Sequence, residues 1–414
     1  MEEHVKKCKI HKRFIDSTEC ILYHMKWSGV DTTRRRHMQI LITGARGFMG
    51  RNLCETLKMA RPEDTLHLID IGSTAEELQS AALQADFVFH LAGVNRPEKV
   101  EAFMEGNRDF TQTLLSLLEN GKKPPVLVTS SIQAALDNPY GESKRAGEAA
   151  VRAYAERTGA PVYIYRLPNA FGKWSRPNYN SAVATFCYNL SRGLPITVND
   201  PSVKLTLCYI DDIVAECLRA LEGNATAGED GLCKVLPEHT VVLGEMADLL
   251  RSFGEMRDRL DVPDQSDPLT AKLYATYLSF LPQEDFARTA VTHSDARGSF
   301  TELIHMAGHG QVSVNISKPH ITKGEHWHHT KHEKFIVLSG EGVIRFRKPE
   351  EKTVVSYHVS GDVFKIIDIP PGYTHNIENT GDTDMITLMW ANECFDPSRP
   401  DTWRLPVEPA KEDK

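Results

Sequence analysis

The stretch QILITGARGFMG, residues 39–50, decides the fold of the first part of the chain. Three consecutive apolar residues precede its first glycine, and Leu53 and Leu57 continue one helical face after its last, which predicts a buried strand, a turn and a helix. Glycines at this spacing permit a tight turn, let the backbone approach a pyrophosphate and let the helix pack closely on the strand. Free N–H groups at the helix N-terminus then point at the pyrophosphate. The pattern predicts a dinucleotide-binding turn formed by Gly44, Arg46, Gly47, Phe48, Met49 and Gly50.

Two side chains close to this turn indicate different nicotinamide coenzymes. Asp70 follows a second strand, residues 66–69, at a position where an acidic side chain commonly binds the ribose 2′-hydroxyl of NAD. Arg46, inside the turn, carries a guanidinium that can hold the 2′-phosphate of NADP. Asp70 also has a purely structural interpretation, as a turn or N-cap residue before a helix over residues 75–84. The residues alone leave both coenzymes open.

A serine, a tyrosine and a lysine follow a later strand at a spacing that suits proton transfer. The strand over residues 126–128 runs into Ser131, and Tyr140 and Lys144 then lie four residues apart, on one face of a helix. An ammonium beside a phenol lowers the pKa of the phenol from its usual value of about 10. Tyr140 can then exchange a proton with a sugar or alcohol oxygen that Ser131 also hydrogen-bonds. We predict that Ser131, Tyr140 and Lys144 are the catalytic group of this domain.

These features together resemble the extended short-chain dehydrogenase/reductase family, which contains sugar-nucleotide epimerases and reductases. The segments HLAG at 90–93, RLPNAFG at 166–172 and YIDDI at 209–213 occur in the order usual for that family. The resemblance implies an α/β fold with a Rossmann-type, doubly wound parallel sheet, and hydride transfer at a sugar carbon. Only a short helix fits between Asp70 and Asp86, so one strand and one helix usual in the family are expected to be missing.

The resemblance also extends the predicted coenzyme site. Together with Arg46 it favours NADPH, with NADH as the alternative. Small residues after the strand over 86–90 are expected where the backbone meets the coenzyme, and further contacts follow from the family pattern. The added positions are Leu91, Ala92, Gly93, Tyr140, Lys144, Leu167, Pro168 and Asn169.

The last third of the chain has a different pattern and is rich in histidine. Ten of the 17 histidines lie between His293 and His375, among short strands separated by glycine turns, which predicts an all-β sandwich or barrel. His326 and His328 share one strand face because side chains alternate along a strand, and Glu333 follows. Three imidazoles and a carboxylate suit Zn, Fe, Ni or Mn better than Mg, which predicts a metal site. The alternative is a metal-free pocket with histidine as a base.

This region resembles the cupins, which are jelly-roll proteins. It contains the His-x-His, Glu and Gly340 elements of their first motif and the Pro-x-Gly-x-x-His-x-x-x-Asn of their second, at 370–379. Residues 295–302 look like the opening of the deoxysugar-nucleotide 3,5-epimerases, which are metal-independent cupins. The metal ligands that the cupin resemblance implies are His326, His328, Glu333 and His375.

A reductase domain followed by a cupin resembles a family of bifunctional capsular polysaccharide assembling proteins, over residues 38–403. By that resemblance the cupin epimerises C3 of a UDP-4-keto-6-deoxy-HexNAc. The first domain then reduces C4 with NADPH to UDP-2-acetamido-2,6-dideoxy-L-talose, on the route to UDP-N-acetyl-L-fucosamine. The resemblance further implies zinc in the cupin, a UDP-sugar substrate and a homodimer. The chemistry is coherent because the 4-keto group both acidifies the C3–H and accepts the hydride.

Composition sets the predicted boundaries and excludes several partners. We expect a basic extension over 1–37, which carries nine Lys/Arg and five Asp/Glu and is either disordered or begins at a start codon upstream of the true one. The reductase domain is expected over 38–287 and the cupin over 288–407. A net charge of −8 argues against nucleic-acid binding, and no apolar run is long enough for membrane insertion. Eight scattered cysteines favour a cytoplasmic location.

Two other functions are compatible with parts of this pattern. One is a different NAD(P)-dependent sugar-nucleotide epimerase or reductase. The other is a non-catalytic sensor that binds a dinucleotide, although sensors of this fold usually lack the tyrosine or the lysine that this chain retains at Tyr140 and Lys144.

Overall fold

A computed structural model describes residues 37–306, 308–394, 396–398 and 400–409. The predicted basic extension therefore lies outside the described residues except for His37, whose ring nitrogen Nε2 lies 3.0 Å from the hydroxyl of Thr65. The described chain forms a helix-covered parallel sheet, a small second sheet, and then a region of strands.

The first sheet is parallel and carries the glycine turn at the end of its central strand. Its order is β2-β1-β3-β4-β5, with a single strand beyond β1 on the β2 side. The expected absence of a strand between Asp70 and Asp86 is confirmed, since a single helix joins β2 to β3. The strands are β1 (Gln39–Thr43), β2 (Thr65–Ile69), β3 (Phe87–His90), β4 (Val126–Ser131) and β5 (Val162–Leu167).

Helices cover both faces of this sheet, as a doubly wound fold requires. Leu53 of α1 and Ile213 of α7 belong to the core on one face, and Leu114 of α4 and Val151 of α5 belong to the core on the other. A π-helical turn, Glu105–Asp109, joins α3 to α4. The helices are α1 (Phe48–Ala60), α2 (Ala75–Gln84), α3 (Glu101–Met104), α4 (Phe110–Glu119), α5 (Pro139–Thr158), α6 (Ala182–Leu190), α7 (Ile210–Leu221), α8 (Leu243–Asp258) and α9 (Pro268–Ser279).

A small sheet lies beyond β5 and has its own apolar core. It consists of β6 (Asn169–Phe171), β7 (Lys204–Tyr209) and β8 (His239–Val242). Buried side chains of α6, α8 and α9 pack with it, among them Phe186, Phe253 and Leu273. The α/β part of the chain ends with these helices and strands.

The strand-rich region forms two sheets, as predicted for a jelly-roll cupin. One has the order β10-β11-β12-β19-β14-β17 with β9 beside β11, and the other has the order β16-β15-β18-β13-β20. Apolar side chains such as Phe335, Ile344 and Ile377 fill the space between them. The strands are β9 (Asp261–Val262), β10 (Thr292–Asp295), β11 (Gly298–Met306), β12 (Gly310–Ser317), β13 (Thr322–Trp327), β14 (Glu333–Ser339), β15 (Glu341–Arg347), β16 (Val355–Ser360), β17 (Ile367–Ile369), β18 (Thr374–Asn379), β19 (Met385–Ala391) and β20 (Trp403–Arg404).

One strand crosses between the two predicted domains. β9 lies between α8 and α9 in the chain, but it pairs in parallel with the end of β11. The contact includes a side-chain interaction, because His305 Nδ1 lies 3.1 Å from Asp261 Oδ1. The polar sequence around Asp261 contains no signal for a strand of two residues.

Two further features of the described residues concern their helices and their cysteines. Its helices all lack the length and apolar character that a bilayer crossing requires. The cysteines that the structure describes are free thiols, and these are Cys54, Cys187, Cys208, Cys217, Cys233 and Cys394.

Candidate active sites

The glycine turn joins β1 to α1 in the conformation that the sequence predicts. Gly44 has φ +70°, a left-handed conformation that side chains disfavour, and a Cβ there would lie 2.7 Å from the backbone nitrogen of Ala92. A Cβ on Gly50 would lie 2.1 Å from the carbonyl oxygen of Gly44, so α1 can approach the turn only with glycine at 50. The N-cap residue is Gly47, which has no side chain to accept from the first amides of α1. Those N–H groups are left for an anion such as a pyrophosphate.

Asp70 contacts Arg46 at this turn through a hydrogen bond from the backbone amide of Arg46, and not from its guanidinium. The Arg46 amide donates to Asp70 Oδ2 at 2.6 Å, and the Ile71 amide donates to Oδ1 at 2.9 Å. Thr74, and not Asp70, is the N-cap of α2, and it forms a capping box with Glu77. The N-cap interpretation of Asp70 is therefore wrong, and its carboxylate holds the turn together. The Arg46 side chain is exposed at the same corner.

The other predicted coenzyme contacts lie at the same edge of the sheet. The Leu91 amide donates to the carbonyl of Thr43 at 3.1 Å, which places residues 91–93 beside the glycine turn. Leu167 ends β5 in register with Ser131, and Pro168 and Asn169 follow it. Because the carboxyl ends of parallel strands share one edge, the segments that follow β3 and β5 lie at the edge where open α/β sheets bind ligands.

The predicted catalytic residues come together at this edge. α5 begins directly before Tyr140, and Asn138 caps it by accepting from the Gly141 amide at 2.8 Å. The hydroxyl of Ser131 lies close enough to the phenol of Tyr140 to lower its pKa. The ammonium of Lys144 lies 5.9 Å from the centre of the Tyr140 ring. All three side chains can therefore reach one substrate oxygen and its surroundings.

The protonation of this group differs from the sequence-based expectation. Burial raises the pKa of the Tyr140 phenol, and the hydrogen bond from Ser131 offsets this only in part. The prediction that Lys144 lowers this pKa is therefore wrong in direction, because loss of solvent outweighs a cation that is not in contact with the phenol oxygen. Burial also lowers the pKa of Lys144 to about 8, and the nearby Glu148 carboxylate opposes that change.

Sequence patterns did not identify two residues that support the group. Glu148, one helical turn after Lys144, accepts a bidentate interaction from Arg166 at 2.9 and 2.7 Å. Asn107, on the π-helical turn, donates to the Ser143 hydroxyl at 3.0 Å and to the carbonyl of Val94 at 2.8 Å. The i,i+4 spacing from Lys144 was a signal for Glu148, whereas the π-helical position of Asn107 has none.

The four predicted metal ligands of the cupin converge. His326 on β13 lies opposite His375 on β18, while His328 follows β13 directly and Glu333 begins β14. One ligand atom from each of the four lies within 4.8 Å of those of the others. Glu333 Oε2 lies 3.4 Å from His328 Nε2 and 3.5 Å from His375 Nε2.

The protonation state and burial of these side chains fit a divalent metal ion. The Nε2 atoms of His328 and His375 are buried without a hydrogen-bond partner. Burial and the two neighbouring imidazoles lower the pKa of His326 to about 4. Burial alone would raise the pKa of Glu333, but the His328 and His375 rings beside its carboxylate and the nearby Lys331 bring it well below its usual value. Neutral imidazoles and an ionised carboxylate are the ligand forms that zinc requires.

A cavity of about 490 Å³ opens beside this cluster, and a lysine lies in it. Lys323 donates to Asn315 Oδ1 at 2.8 Å and to the carbonyl of Ile316 at 2.9 Å. Simple alternation would place Lys323 on the strand face opposite His326. A β-bulge at Glu325, which has φ +61°, restores both side chains to the inner face. Sequence patterns did not identify Lys323 because nothing in them marks this bulge.

Comparison with known proteins covers both parts of the chain. Residues 40–233 match the NAD dependent epimerase/dehydratase family, and residues 293–403 match the polysaccharide biosynthesis C-terminal domain. The UDP-2-acetamido-2,6-beta-L-arabino-hexul-4-ose reductase of Pseudomonas aeruginosa is 43% identical over 374 residues, which are 89% of this chain and 99% of that protein. The chain belongs to the family of this reductase.

Solved structures of the reductase family agree over both domains. The capsular polysaccharide assembling protein CapF of Staphylococcus aureus is 53% identical, with a TM-score of 0.83 over 89% of this chain and 100% of CapF. A second CapF structure, solved with the inhibitor 3-isopropenyl-tropolone, is 49% identical with a TM-score of 0.78, over 89% and 99% of the two chains. The predicted fold, a Rossmann-type α/β domain followed by a cupin, is confirmed.

Membership of the reductase family makes the protein an enzyme, an oxidoreductase and epimerase of UDP-sugars that uses a nicotinamide coenzyme. The predicted resemblance to capsular polysaccharide assembling proteins is confirmed. The alternative of a non-catalytic dinucleotide sensor has no support in these findings.

Proposed function

We propose that this enzyme catalyses two successive steps on one sugar nucleotide. The cupin epimerises C3 of a UDP-4-keto-6-deoxy-HexNAc, and the Rossmann domain then reduces C4 with NADPH, giving UDP-2-acetamido-2,6-dideoxy-L-talose. The product lies on the route to UDP-N-acetyl-L-fucosamine for capsule or O-antigen. The observation that carries the proposal is the 43% identity to a UDP-hexulose reductase over 99% of its length, in a chain that holds two separate polar sites.

Reduction of the ketone needs a hydride at C4 and a proton at O4. The nicotinamide coenzyme supplies the hydride when it is bound. Tyr140 donates the proton to O4, and its raised pKa suits this role because the phenol keeps its proton until the oxygen needs it. Ser131 hydrogen-bonds the same oxygen, and the Lys144 ammonium lies over the Tyr140 ring, 5.9 Å from its centre, on the side of the coenzyme turn.

Epimerisation at C3 needs a positive group near the C4 oxygen. A base takes the C3 proton, which places negative charge on that oxygen as an enolate, and a preorganised cation stabilises this enolate until a proton returns to the opposite face of C3 and the ketone re-forms. The Lys323 ammonium is positioned for this, since Asn315 and Ile316 hold it in the cavity next to the histidine cluster. Zinc held by His326, His328, Glu333 and His375 would add a Lewis acid or a structural brace there.

The assignment of NADPH depends on different roles for two residues: Asp70 binds backbone amides, and Arg46 binds the 2′-phosphate. Asp70 accepts the Arg46 amide of the glycine turn and the Ile71 amide of its own loop, so its carboxylate holds these two segments together. Arg46 leaves its guanidinium exposed at the corner where the adenosine ribose binds in Rossmann folds. A 2′-phosphate therefore meets a cation there, which favours NADPH over NADH.

The proposal also includes boundaries, assembly and compartment. We place the reductase domain at 38–287 and the cupin at 288–407, which agrees with family matches over 40–233 and 293–403. A homodimer follows from the family resemblance. A cytoplasmic location suits a chain whose described cysteines are free thiols.

Product analysis tests this function directly. The purified enzyme is incubated with a UDP-4-keto-6-deoxy-GlcNAc-derived substrate and NADPH in D₂O, and the product is examined by mass spectrometry and NMR. We expect the talo product with deuterium at C3 and hydrogen from NADPH at C4. Reduction without deuterium at C3, or no reaction across a panel of UDP- and dTDP-4-keto sugars, contradicts the proposal.

A further inference from the structure

The C-terminal residues 400–409, here called the strap, run along the sheet that carries two of the clustered histidines. Trp403 and Arg404 form β20, which pairs with β13, so that Arg404 lies opposite His326. The Leu405 amide then donates to the carbonyl of Glu325 at 3.0 Å. The matched C-terminal family domain ends at residue 403, so six of the ten strap residues lie beyond it.

The strap is fixed at its far end by a buried arginine. Arg347 is almost fully buried and donates to the carbonyls of Pro406 at 2.7 Å and Val407 at 2.6 Å. Val407 itself is completely buried, and its amide donates to Glu325 Oε2 at 2.6 Å. The strap is therefore an integral part of the packed sheet and not a loose terminus.

Strap atoms contact the segment that carries each of the four clustered residues. Beside His326, Arg404 pairs with the strand. Beside His375, the hydroxyl of Thr374 donates to the carbonyl of Leu405. The ring of His328 hydrogen-bonds through Nδ1 to the carbonyl of Asp401, and the Lys331 amide, two residues before Glu333, donates to the Asp401 carboxylate at 3.0 Å.

Asp401 has the densest set of these contacts. Its carboxylate accepts the amides of His329, Thr330 and Lys331 at 2.9, 2.8 and 3.0 Å, which fixes the loop between His328 and Glu333. Its own carbonyl accepts from His328 Nδ1. Asp401 thus holds both the imidazole of His328 and the backbone that leads from His328 to Glu333.

We propose that the strap braces the metal site and that Asp401 is the positioning residue for His328. The inference rests on the zinc assignment in the proposed function. A carbonyl that accepts from Nδ1 selects the tautomer whose Nε2 lone pair faces the cluster, and it fixes the plane of the ring. Removing such a partner commonly weakens metal affinity 10- to 100-fold.

The test compares zinc affinity in three full-length proteins by chelator competition. Asp401→Asn keeps the backbone carbonyl that accepts from His328 Nδ1, but it replaces a carboxylate oxygen with an NH₂ that cannot accept from the Thr330 and Lys331 amides. The loop after His328 then loses the contacts that hold this ring against that carbonyl. Asp396→Asn is the control, because Asp396 lies in the same C-terminal region and bonds to Ser398. We expect zinc affinity to fall 10- to 100-fold in Asp401→Asn and to change less than twofold in the control. The visible spectrum of the Co²⁺-substituted protein should also change in Asp401→Asn alone.

Amide hydrogen exchange of the wild-type protein provides a second test, which does not depend on whether a variant folds. Because coupling is reciprocal, zinc should slow amide hydrogen exchange in the strap if the strap orders the zinc site. Unchanged strap exchange on zinc addition, or wild-type zinc affinity and cobalt spectrum in Asp401→Asn, overturns the brace while leaving the zinc assignment standing. A wild-type protein that binds no zinc overturns the zinc assignment itself, and the brace with it.

Discussion

At the residue scale, the preference for NADPH or NADH tests the separate roles proposed for Arg46 and Asp70. Wild type should have a higher kcat/KM with NADPH than with NADH. Arg46→Ala should lower that preference by roughly 10- to 100-fold, since a hydrogen bond to a charged group contributes about 1.5–3 kcal/mol. Asp70→Asn should weaken both coenzymes alike, because its carboxylate holds the backbone of the turn. A tenfold wild-type preference for NADH would show instead that Asp70 binds the ribose.

The positions that residues of local motifs take in the fold could be predicted from the sequence, because the spacing of a few neighbouring residues determines them. The glycine turn, the pair Tyr140 and Lys144, and the four predicted metal ligands of the cupin lie where their spacing indicates. Asp401 could not be predicted, because its partners lie about seventy residues earlier and depend on strap pairing. The pKa of Tyr140 was predicted in the wrong direction because burial is a property of the folded environment.

At the element scale, the close approach of α1 to the glycine turn makes a sharp prediction. Gly50→Ala places a Cβ 2.1 Å from the Gly44 carbonyl oxygen, so α1 must shift, and overpacking of this kind costs about 1–3 kcal/mol. We expect at least tenfold weaker NADPH binding by fluorescence titration and a lower urea midpoint. Gly72→Ala is the control, because its Cβ meets nothing within 4 Å. Unchanged binding in Gly50→Ala would contradict the pyrophosphate site at this helix.

Elements with a regular period were predictable, and those that break it were not. Alternation correctly placed His326 and His328 together, and the helix over residues 75–84 has the bounds that the sequence indicates. The bulge at Glu325 breaks the alternation and brings Lys323 into the cavity, where the pattern alone would turn it outward. The two-residue strand β9 is equally invisible, because its pairing with β11 is decided by tertiary contacts.

At the scale of the whole molecule, the two sites belong to separate cores and should be separable by mutation. The catalytic group of the Rossmann domain lies at the edge of the parallel sheet, while the histidine cluster lies between the strands of the cupin. His326→Ala removes one of the four proposed ligands, so zinc content and cupin stability should fall. NADPH binding should persist, because the glycine turn is untouched. Turnover should still fall, because the reductase would meet the wrong C3 configuration.

Solvent exchange at C3 without NADPH separates the two reactions, because it reports proton removal and not reduction. Wild type should incorporate deuterium from D₂O at C3. Tyr140→Phe should do the same, although its C4 reduction should be slower by roughly 100-fold or more for want of a proton donor. His326→Ala should not exchange, since the cavity beside the cluster is then without its metal ligand set. Exchange that survives in His326→Ala but disappears in Tyr140→Phe would place epimerisation in the Rossmann domain and refute the division into two sites.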